Sequence, residues 1–456
     1  MIQLPKRAQE IIDTLKKHGF EAYAVGGCVR NLIMKLPTKG WDFTTIATPE
    51  NVLKIFPDSF YDNQFGTVGI KIRDKGTRLQ RDNDEVQDIY EVTTYRSEGG
   101  YSDFRHPDKV SWGTSLETDL SRRDFTINAI AFNGTTIIDP FHGQGDMAQQ
   151  IIRAVGDPNL RFSEDALRMM RAIRIASQLG FQIDDATIDA VRSNASLISN
   201  ISAERVRDEL FKLVISHFAF DGILMLKNSG LMKYILPEFE ETFTVEQKSP
   251  KRHHIFDVGM HSVMALKHCP SGDPVVKLAT LLHDVGKAKT AKKDESGIIT
   301  FYNHEVVSTR VGRDIAYRLR FSKKQTELFT ILIRWHQFSV DERQTDSAIR
   351  RFIRRVGKDN LSDMLALRIG DRLGGGAQET SWRLELFKKR LEEVQKQPFG
   401  IPDLKISGYD VMEALGCKPG KIVGETLAKI FSEVENGTLL NEREQLLERI
   451  KSLKSP

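Results

Sequence analysis

The stretch Tyr23-Ala24-Val25-Gly26-Gly27-Cys28-Val29-Arg30-Asn31-Leu32, continued by Trp41-Asp42-Phe43-Thr44-Thr45, decides how the first part of the chain folds. Small apolar and aromatic residues run into a Gly-Gly pair, and Val29, Leu32 and Ile33 then share one side of a helical pattern. The spacing predicts a strand, a tight turn and a helix N-terminus. Glycines let the backbone come close to an anion, and the first N–H groups of a helix lack internal partners and sit at its positive end. Taken alone, Gly-Gly also suits an ordinary strand-to-helix turn. The added feature is Asp42, a carboxylate between bulky residues in a short extended run. Projecting from a strand opposite an anion cradle, it is placed to hold Mg²⁺.

Outward from this stretch, the chain reads as a soluble globular protein of several domains: 456 residues, 40% hydrophobic and 28% charged. The net charge is only +4, but the pairs Arg122-Arg123, Lys251-Arg252, Lys323-Lys324, Arg350-Arg351 and Arg354-Arg355 permit a polyanionic partner. Cys28, Cys269 and Cys417 are far apart, which excludes a CxxC metal site, argues against a disulfide framework and suits a reducing cytoplasm. The N-terminus has no apolar signal region, and no run of 18 apolar residues occurs, so no membrane role is expected.

Residues 6–18 carry Ala8, Ile11, Ile12 and Leu15 at helical spacing, closed by Gly19. Thr48-Pro49-Glu50 reads as a capped helix start. Thr67–Ile72 and Asp88–Arg96 read as strands separated by a loop over 73–87, with Glu91 and Thr93 on one face. Residues 97–113 look too polar and too broken by Gly and Pro for regular structure. Asp165, Arg168, Arg171 and Arg174 fall at spacings that place them on one face of a helix begun by Ser163, where they could simply form salt bridges. From Ala219 onward the pattern is helical, including a helix over 383–396.

The opening stretch resembles the signature of the class II tRNA nucleotidyltransferase (CCA-adding) and bacterial poly(A) polymerase family, a branch of the DNA polymerase beta superfamily. That signature reads Gly-Gly-x-Val-Arg-Asp, then Lys-Asp-x-Asp and a Phe, Trp or Ile. This chain has Asn31 for the first Asp and Gly40 for the first metal-binding Asp, leaving Asp42 alone. Glycine cannot ligate a metal, and two-metal sites hold their ions about 3.5–4 Å apart with shared carboxylates, so Gly40 is expected to weaken metal binding and slow transfer.

The resemblance implies roles for further residues. A third family carboxylate comes from the strand that carries Glu91, so Asp42 and Glu91 are the catalytic candidates. Residues 97–113 are similar to the loop that helps the site switch from C to A addition. Leu120–Ile130 matches the family's Arg-Arg-Asp-Phe-Thr-Ile-Asn-Ala element. Its Arg122 and Arg123 are guanidinium forks suited to triphosphate oxygens, and Asp124 can orient them or the ribose. Asp139-Pro140-Phe141-His142-Gly143-Gln144 resembles the connection that ends the family's catalytic head. In the family, Glu-Asp-x-x-Arg reads the incoming base in place of a nucleic-acid template, which makes Asp165 and Arg168 the readers of CTP and ATP. Gly26, Gly27, Arg30, Arg171 and Arg174 complete the expected nucleotide site, and Ser202–Leu210 resembles the structural neck helix.

A second constellation lies beyond Lys251. His261, His283-Asp284 and Asp371 resemble the H…HD…D pattern of the HD phosphohydrolases, with Lys287, His304 and His336 at accessory positions. Two imidazoles and two carboxylates suit Mg²⁺, Mn²⁺ or Ni²⁺ activating water against a phosphate ester. Leu404–Met412 through Gly424 resembles the family tail that grips the tRNA elbow through phosphates.

The expected architecture is an α/β polymerase-beta-like nucleotidyltransferase head (1–150), an all-α neck and body (151–245), an HD domain (246–385) and a helical tail contacting tRNA (386–456). The expected function is addition or repair of the 3′-terminal CCA of tRNA from CTP and ATP with Mg²⁺ in the head, slowed by Gly40 and Asn31. The alternatives are an HD-domain phosphohydrolase whose head only binds tRNA or nucleotide, and a pure tRNA-binding protein. The complete HD set counts against the last.

Overall fold

The computed structural model describes residues 2–38, 40–63, 66–73, 86–99, 109–113, 115–247, 256–295, 297–338, 341, 343–395 and 400–453. The chain forms two compact units, Met1–Phe243 with Asp314–Ser322, and Thr244–Arg313 with Lys323–Pro456. No helix of the described residues is long and apolar enough to cross a membrane.

The first unit opens with α1 (Lys6–Lys17), which buries Ala8, Ile11, Ile12 and Leu15. The three larger side chains each contribute about 1.5–3 kcal/mol by leaving water. β1 (Ala22–Val25) passes through Gly26, at φ +86°, into α2 (Gly27–Ile33), the expected strand, turn and helix. β2 (Asp42–Thr45) precedes α3 (Pro49–Ile55), whose first turn is capped by the Thr48 hydroxyl accepting from the Asn51 N–H. β3 (Ser59–Asn63), β4 (Thr67–Arg73) and β5 (Val86–Thr94) follow, then β6 (Arg96–Gly99), β7 (Lys109–Trp112) and α4 (Leu116–Ser121). β8 (Ala131–Phe132), β9 (Ile137–Ile138) and α5 (Gly143–Gln149) end this part.

The main sheet has the order β3-β4-β5-β2-β1-β8-β9. Only β2 and β5 pair in parallel; the other neighbours are antiparallel. The β2–β5 register sets Asp42 beside Glu91 and Thr44 beside Thr93. Side chains alternate across a strand, so Trp41 and Phe43 enter the core while Asp42 projects from the other face. The Phe43 ring lies 6.0 Å from Tyr90 and 6.5 Å from Trp41, an aromatic brace behind the carboxylates.

Two sequence expectations need correction here. The loop over 73–87 is shorter than expected, because Arg73 pairs with Val86 and extends the β4–β5 ladder; residues 74–85 lie outside the described residues. The 97–113 segment is not wholly irregular either: β6 and β7 pair antiparallel from Arg96↔Trp112 to Gly99↔Lys109. Backbone pairing needs no apolar alternation, so composition alone misses such a ribbon. Residues 100–108 lie outside the described residues.

The first unit continues through β10 (Ile151–Ile152), α6 (Pro158–Glu164), α7 (Leu167–Leu179), β11 (Gln182–Ile183), α8 (Asp185–Asn194) and α9 (Ala203–Val214). α10 (Ala219–Asn228), α11 (Met232–Ile235) and α12 (Pro237–Glu240) complete its helical part. α7 packs on α9 and α10. The single helix expected from Ser163 is instead two helices. Asp157 caps α6 before Pro158 and starts it early, and Asp165 is extended (φ −141°, ψ 100°) and accepts from the Leu167 N–H to start α7.

In the second unit α13 (Val258–His268), α14 (Pro274–Leu282) and α15 (Lys287–Thr290) precede a small antiparallel pair, β12 (Lys292–Lys293) with β13 (Ile299–Thr300). That pair departs from the all-helical pattern expected there. α16 (His304–Arg318, residues to 313 belonging here), α17 (Lys323–Trp335), α18 (Asp346–Val356), α19 (Leu361–Gly374) and α20 (Trp382–Gln395) follow. A Cβ on Gly370 would lie 2.6 Å from the Ala265 carbonyl, and one on Gly374 2.6 Å from the Ala265 nitrogen. These glycines let α19 lie directly on α13, which brings Asp371 to His261. α21 (Gly408–Leu415), α22 (Lys421–Glu435) and α23 (Arg443–Ser452) enclose a small core of Val411, Ile430, Val434, Leu446 and Ile450.

Candidate functional site

In the head, the β1–α2 turn, the first residues of β2 and the middle of β5 face a cavity of about 370 Å³ lined by Gly27, Arg30, Asn31, Gly40, Asp42 and Glu91. The parallel register makes Asp42 and Glu91 neighbours, so two of the expected carboxylates stand together. A Cβ on Gly26 would lie 3.4 Å from Arg123 Nη1 and 3.8 Å from Asp42 Oδ2, so the turn, one guanidinium and one carboxylate converge. Burial in this cleft raises the Asp42 carboxyl above its ordinary value, against the opposing pull of Arg123 and Arg171. Gly40 sits at φ +73° with open space where its Cβ would be.

Asn31 has its own bonding pattern. Its Oδ1 accepts from Arg30 Nε (3.1 Å) and Nη2 (2.8 Å), and its amide nitrogen donates to the Pro37 carbonyl (3.1 Å). A carboxylate could not make that last bond. Arg30 Nη1 donates to Asn128 Oδ1 at 2.9 Å. Among the described residues the Arg30 guanidinium is therefore held by two neutral amides and lies within ion-pair distance of no carboxylate. Burial, with Arg174 and Arg171 nearby, lowers its pKa to about 10 despite the pull of Asp124.

The two adjacent arginines are organised by Asp119, a residue sequence reasoning missed. Asp119 is fully buried and accepts from Arg122 Nη2 (2.6 Å), Arg123 Nη2 (3.2 Å) and the Thr44 hydroxyl (3.1 Å). Its position on α4, three and four residues before the two arginines that follow the helix, was the available signal. Arg123 Nε is buried and makes no hydrogen bond among the described residues, leaving a donor for an anion. Asp124 turns away from this pair. It accepts from Arg171 Nε (2.8 Å) and Nη2 (2.5 Å), and from Asn128 Nδ2 (3.0 Å). Burial alone would raise the Asp124 carboxyl, but Arg171 and Asn128 hold it well below the usual carboxylate range. Asn128, also missed, thus links Arg30 to Asp124.

The expected base readers are held separately. Asp165 accepts from Arg205 Nη2 at 2.7 Å, whereas Arg168 donates to Glu164 (2.6 Å) and to the Arg122 carbonyl (3.0 Å). Arg174 Nε donates to the buried Glu209 at 2.5 Å. Arg205 and Glu209 both belong to α9, so the neck helix braces this face of α7.

In the second unit, all seven residues of the second constellation meet. His261 Nε2 lies 3.2 Å from Asp371 Oδ1, His283 Nε2 3.2 Å from Asp284 Oδ2, and Lys287 Nζ 2.6 Å from the same oxygen. His304 Nε2 and His336 Nε2 lie 3.1 and 3.6 Å from Asp284 Oδ1. Six of the seven are almost fully buried, Asp371 somewhat less. Charged carboxylates at such depth call for cations, and this donor set fits a borderline divalent ion. Burial opposes charge on His283, but Asp284 and Asp371 raise its pKa to about 10, while both carboxyls are held well below their ordinary range.

Comparison with known proteins accounts for both arrangements. Residues 22–153 match the Poly A polymerase head domain, residues 253–373 the HD domain, and residues 316–450 the tRNA nucleotidyltransferase domain 2 family. The chain is 32% identical over 453 residues to a CCA-adding enzyme of Ligilactobacillus salivarius, covering 98% of this chain and 96% of that protein. A CCA-adding enzyme of Geobacillus sp. is 44% identical over 232 residues, about half of each chain. Among solved structures, the Bacillus stearothermophilus CCA-adding enzyme in complex with CTP superposes with a TM-score of 0.71 at 28% identity, over 98% of this chain and 96% of that one. Families of these two kinds use divalent metals, and the acidic residues gathered in each unit suit that chemistry. A relative matched from end to end, together with a head whose cradle, arginines and paired carboxylates converge, places this chain in the CCA-adding enzyme family, nucleotidyltransferases with an α/β head.

Proposed function

We propose that the protein adds or repairs the 3′-terminal CCA of tRNA, using CTP and ATP. The observation that carries the reading is the register of β2 and β5, which sets Asp42 beside Glu91 next to the Gly26 turn and Arg123. The proposed roles follow from that placement. The α2 N-terminus, Gly26, Gly27 and Arg30 receive the triphosphate, with Arg122 and Arg123 aimed by Asp119. Asp42 and Glu91 would hold Mg²⁺, which supplies charge neutralisation of the triphosphate and acidification of the attacking tRNA hydroxyl. The neck braces keep the α7 face in one geometry, so that Asp165 can offer acceptors and Arg168 donors to the base edge. Arg171 and Arg174 hold that face to Asp124 and Glu209 and leave their remaining N–H groups for the nucleotide.

Gly40 removes one family ligand, so transfer is slower than in a chain with Asp there. Asn31, where the family has Asp, leaves the Arg30 guanidinium held by neutral amides rather than by a carboxylate, and its missing charge slows transfer alongside Gly40. The work belongs to a reducing cytoplasm, where Cys28, Cys269 and Cys417 remain thiols, as all three are here. We assign residues 1–150 to the head, 151–245 to neck and body, 246–385 to the HD domain and 386–456 to a tRNA-contacting tail. His261, His283, Asp284 and Asp371 would hold an ion such as Mg²⁺, Mn²⁺ or Ni²⁺ that serves phosphate-ester hydrolysis. The test is incubation with tRNA ending before CCA, labelled CTP and ATP, and Mg²⁺. Stepwise growth by two C and one A supports the reading; tRNA that binds but never lengthens refutes it.

A further inference from the structure

The helical part of the first unit holds another cavity, of about 580 Å³, bounded by α7, β11, α8 and α10. That volume falls within the roughly 300–1,000 Å³ of small-molecule sites. It shares no lining residue with the cavity at Asp42 and Glu91. Phe181, Ile183, Ile188, Phe218 and Met225 make its walls apolar and aromatic.

Phe218 is fastened in place yet left uncovered. Its N–H donates to the Ser177 carbonyl at 3.0 Å, and its carbonyl accepts from the hydroxyl of the fully buried Ser177 at 2.8 Å. Its ring lies against Gly180, which ends α7 at a left-handed φ of +73°; a Cβ there would come within 2.7 Å of the ring. Even so, Phe218 is 39% exposed. A fixed aromatic wall that the fold does not cover leaves apolar surface for an occupant.

The polar groups decide which occupant. Among the described residues Asp221, in the first turn of α10, is the one charged residue lining the cavity, and it makes no hydrogen bond or ion pair there. Asp185, one turn before Ile188 on α8, is unpaired in the same sense. The exposed side chain of Gln182, also on the lining, has no hydrogen-bond partner among the described residues. An anion would meet these carboxylates without a counter-charge, and a neutral apolar molecule would strip water from Asp221 and give nothing back. A cation is drawn both to the carboxylate and to the aromatic rings.

We propose that this cavity is a binding site for a small organic ammonium ion with an apolar body: Asp221 and the Phe218 and Phe181 rings take the cationic head, and Ile183, Ile188 and Met225 take the apolar part. The test is methyl NMR on the full chain labelled at the isoleucine δ1 carbons, titrated with phenethylammonium and with the neutral 2-phenylethanol, which has nearly the same shape. Phenethylammonium should shift the Ile183 and Ile188 methyls saturably, and 2-phenylethanol should bind at least about tenfold more weakly. Asp221→Asn, at an exposed side chain with no partner to lose, should erase that preference with the fold intact. No saturable shift at either methyl overturns the site. Equal affinity for the two probes, or a preference that survives Asp221→Asn undiminished, overturns the assignment of its ligand as a cation held by Asp221.

Discussion

Replacing Gly40 by Asp should raise transfer activity while slightly lowering stability. Nothing lies within 4 Å of a Cβ built on Gly40, so the side chain starts into open space. The backbone there is left-handed, at φ +73°, which costs a non-glycine residue about 1 kcal/mol, least for Asp and Asn. Against this, the new carboxylate would restore a ligand for Mg²⁺, and one preorganised electrostatic contact at a transition state is worth about 2.7–4 kcal/mol, or roughly 10²–10³-fold in rate. The side chain would join the cavity that holds Asp42 and Glu91. Single-turnover addition of labelled CTP to tRNA lacking CCA should therefore accelerate by about 10²-fold, with a melting temperature a few degrees lower. Gly40→Asn carries the same backbone strain without the charge and should accelerate nothing. Equal rates in Gly40→Asp and the parent, with the fold intact, would refute the argument; so would an equal gain in Gly40→Asn.

Other outcomes follow from the same geometry. Asp119→Asn removes the charge that aims Arg122 and Arg123 and should raise the KM for CTP about tenfold while costing about 3 kcal/mol of stability, read by nucleotide titration and denaturant melts. Asp124 is held below its ordinary value near 3.8, so it binds fewer protons folded than unfolded. Its stabilisation is present above that value and is lost as pH falls through the folded pKa. The melting difference between wild type and Asp124→Asn should accordingly shrink below about pH 4. Burial pushes the Cys28 thiol up to about 11, so at pH 8 only about one molecule in a thousand is thiolate there. Iodoacetamide should modify the half-exposed Cys417 well before Cys28, as peptide mass mapping would show.

Much of the head was legible because its signals are local. The strand, glycine turn and helix of residues 22–33 and the alternation around Asp42 each lie within a dozen residues, and the parallel pairing then puts Glu91 where the family resemblance placed it. What escaped depends on distant partners or on competing helix starts. An acid in the first turn of a helix usually reads as solvated, and only the fold buries Asp119 beneath Thr44. Arg205 and Glu209 meet Asp165 and Arg174 from 40 and 35 residues away, contacts no spacing rule predicts. The break at Asp165 followed from Asp157-Pro158, a start signal that outweighs the one at Ser163. Asn31 was legible as a departure from the family pattern, but its bond to the Pro37 carbonyl was not. The residues of the His-Asp cluster were legible from their order along the chain, but the distances that bring them around Asp284 come only with the fold.

The measurement that tests the central claim most directly is CCA addition by wild type beside Asp42→Ala and Glu91→Ala, with tRNA binding measured on the same preparations. Wild type should complete CCA, and both variants should bind tRNA equally well yet fall by at least about 10²-fold in rate. Undiminished addition by Asp42→Ala would contradict the account, because the chemistry would then lie outside the cleft between β2 and β5.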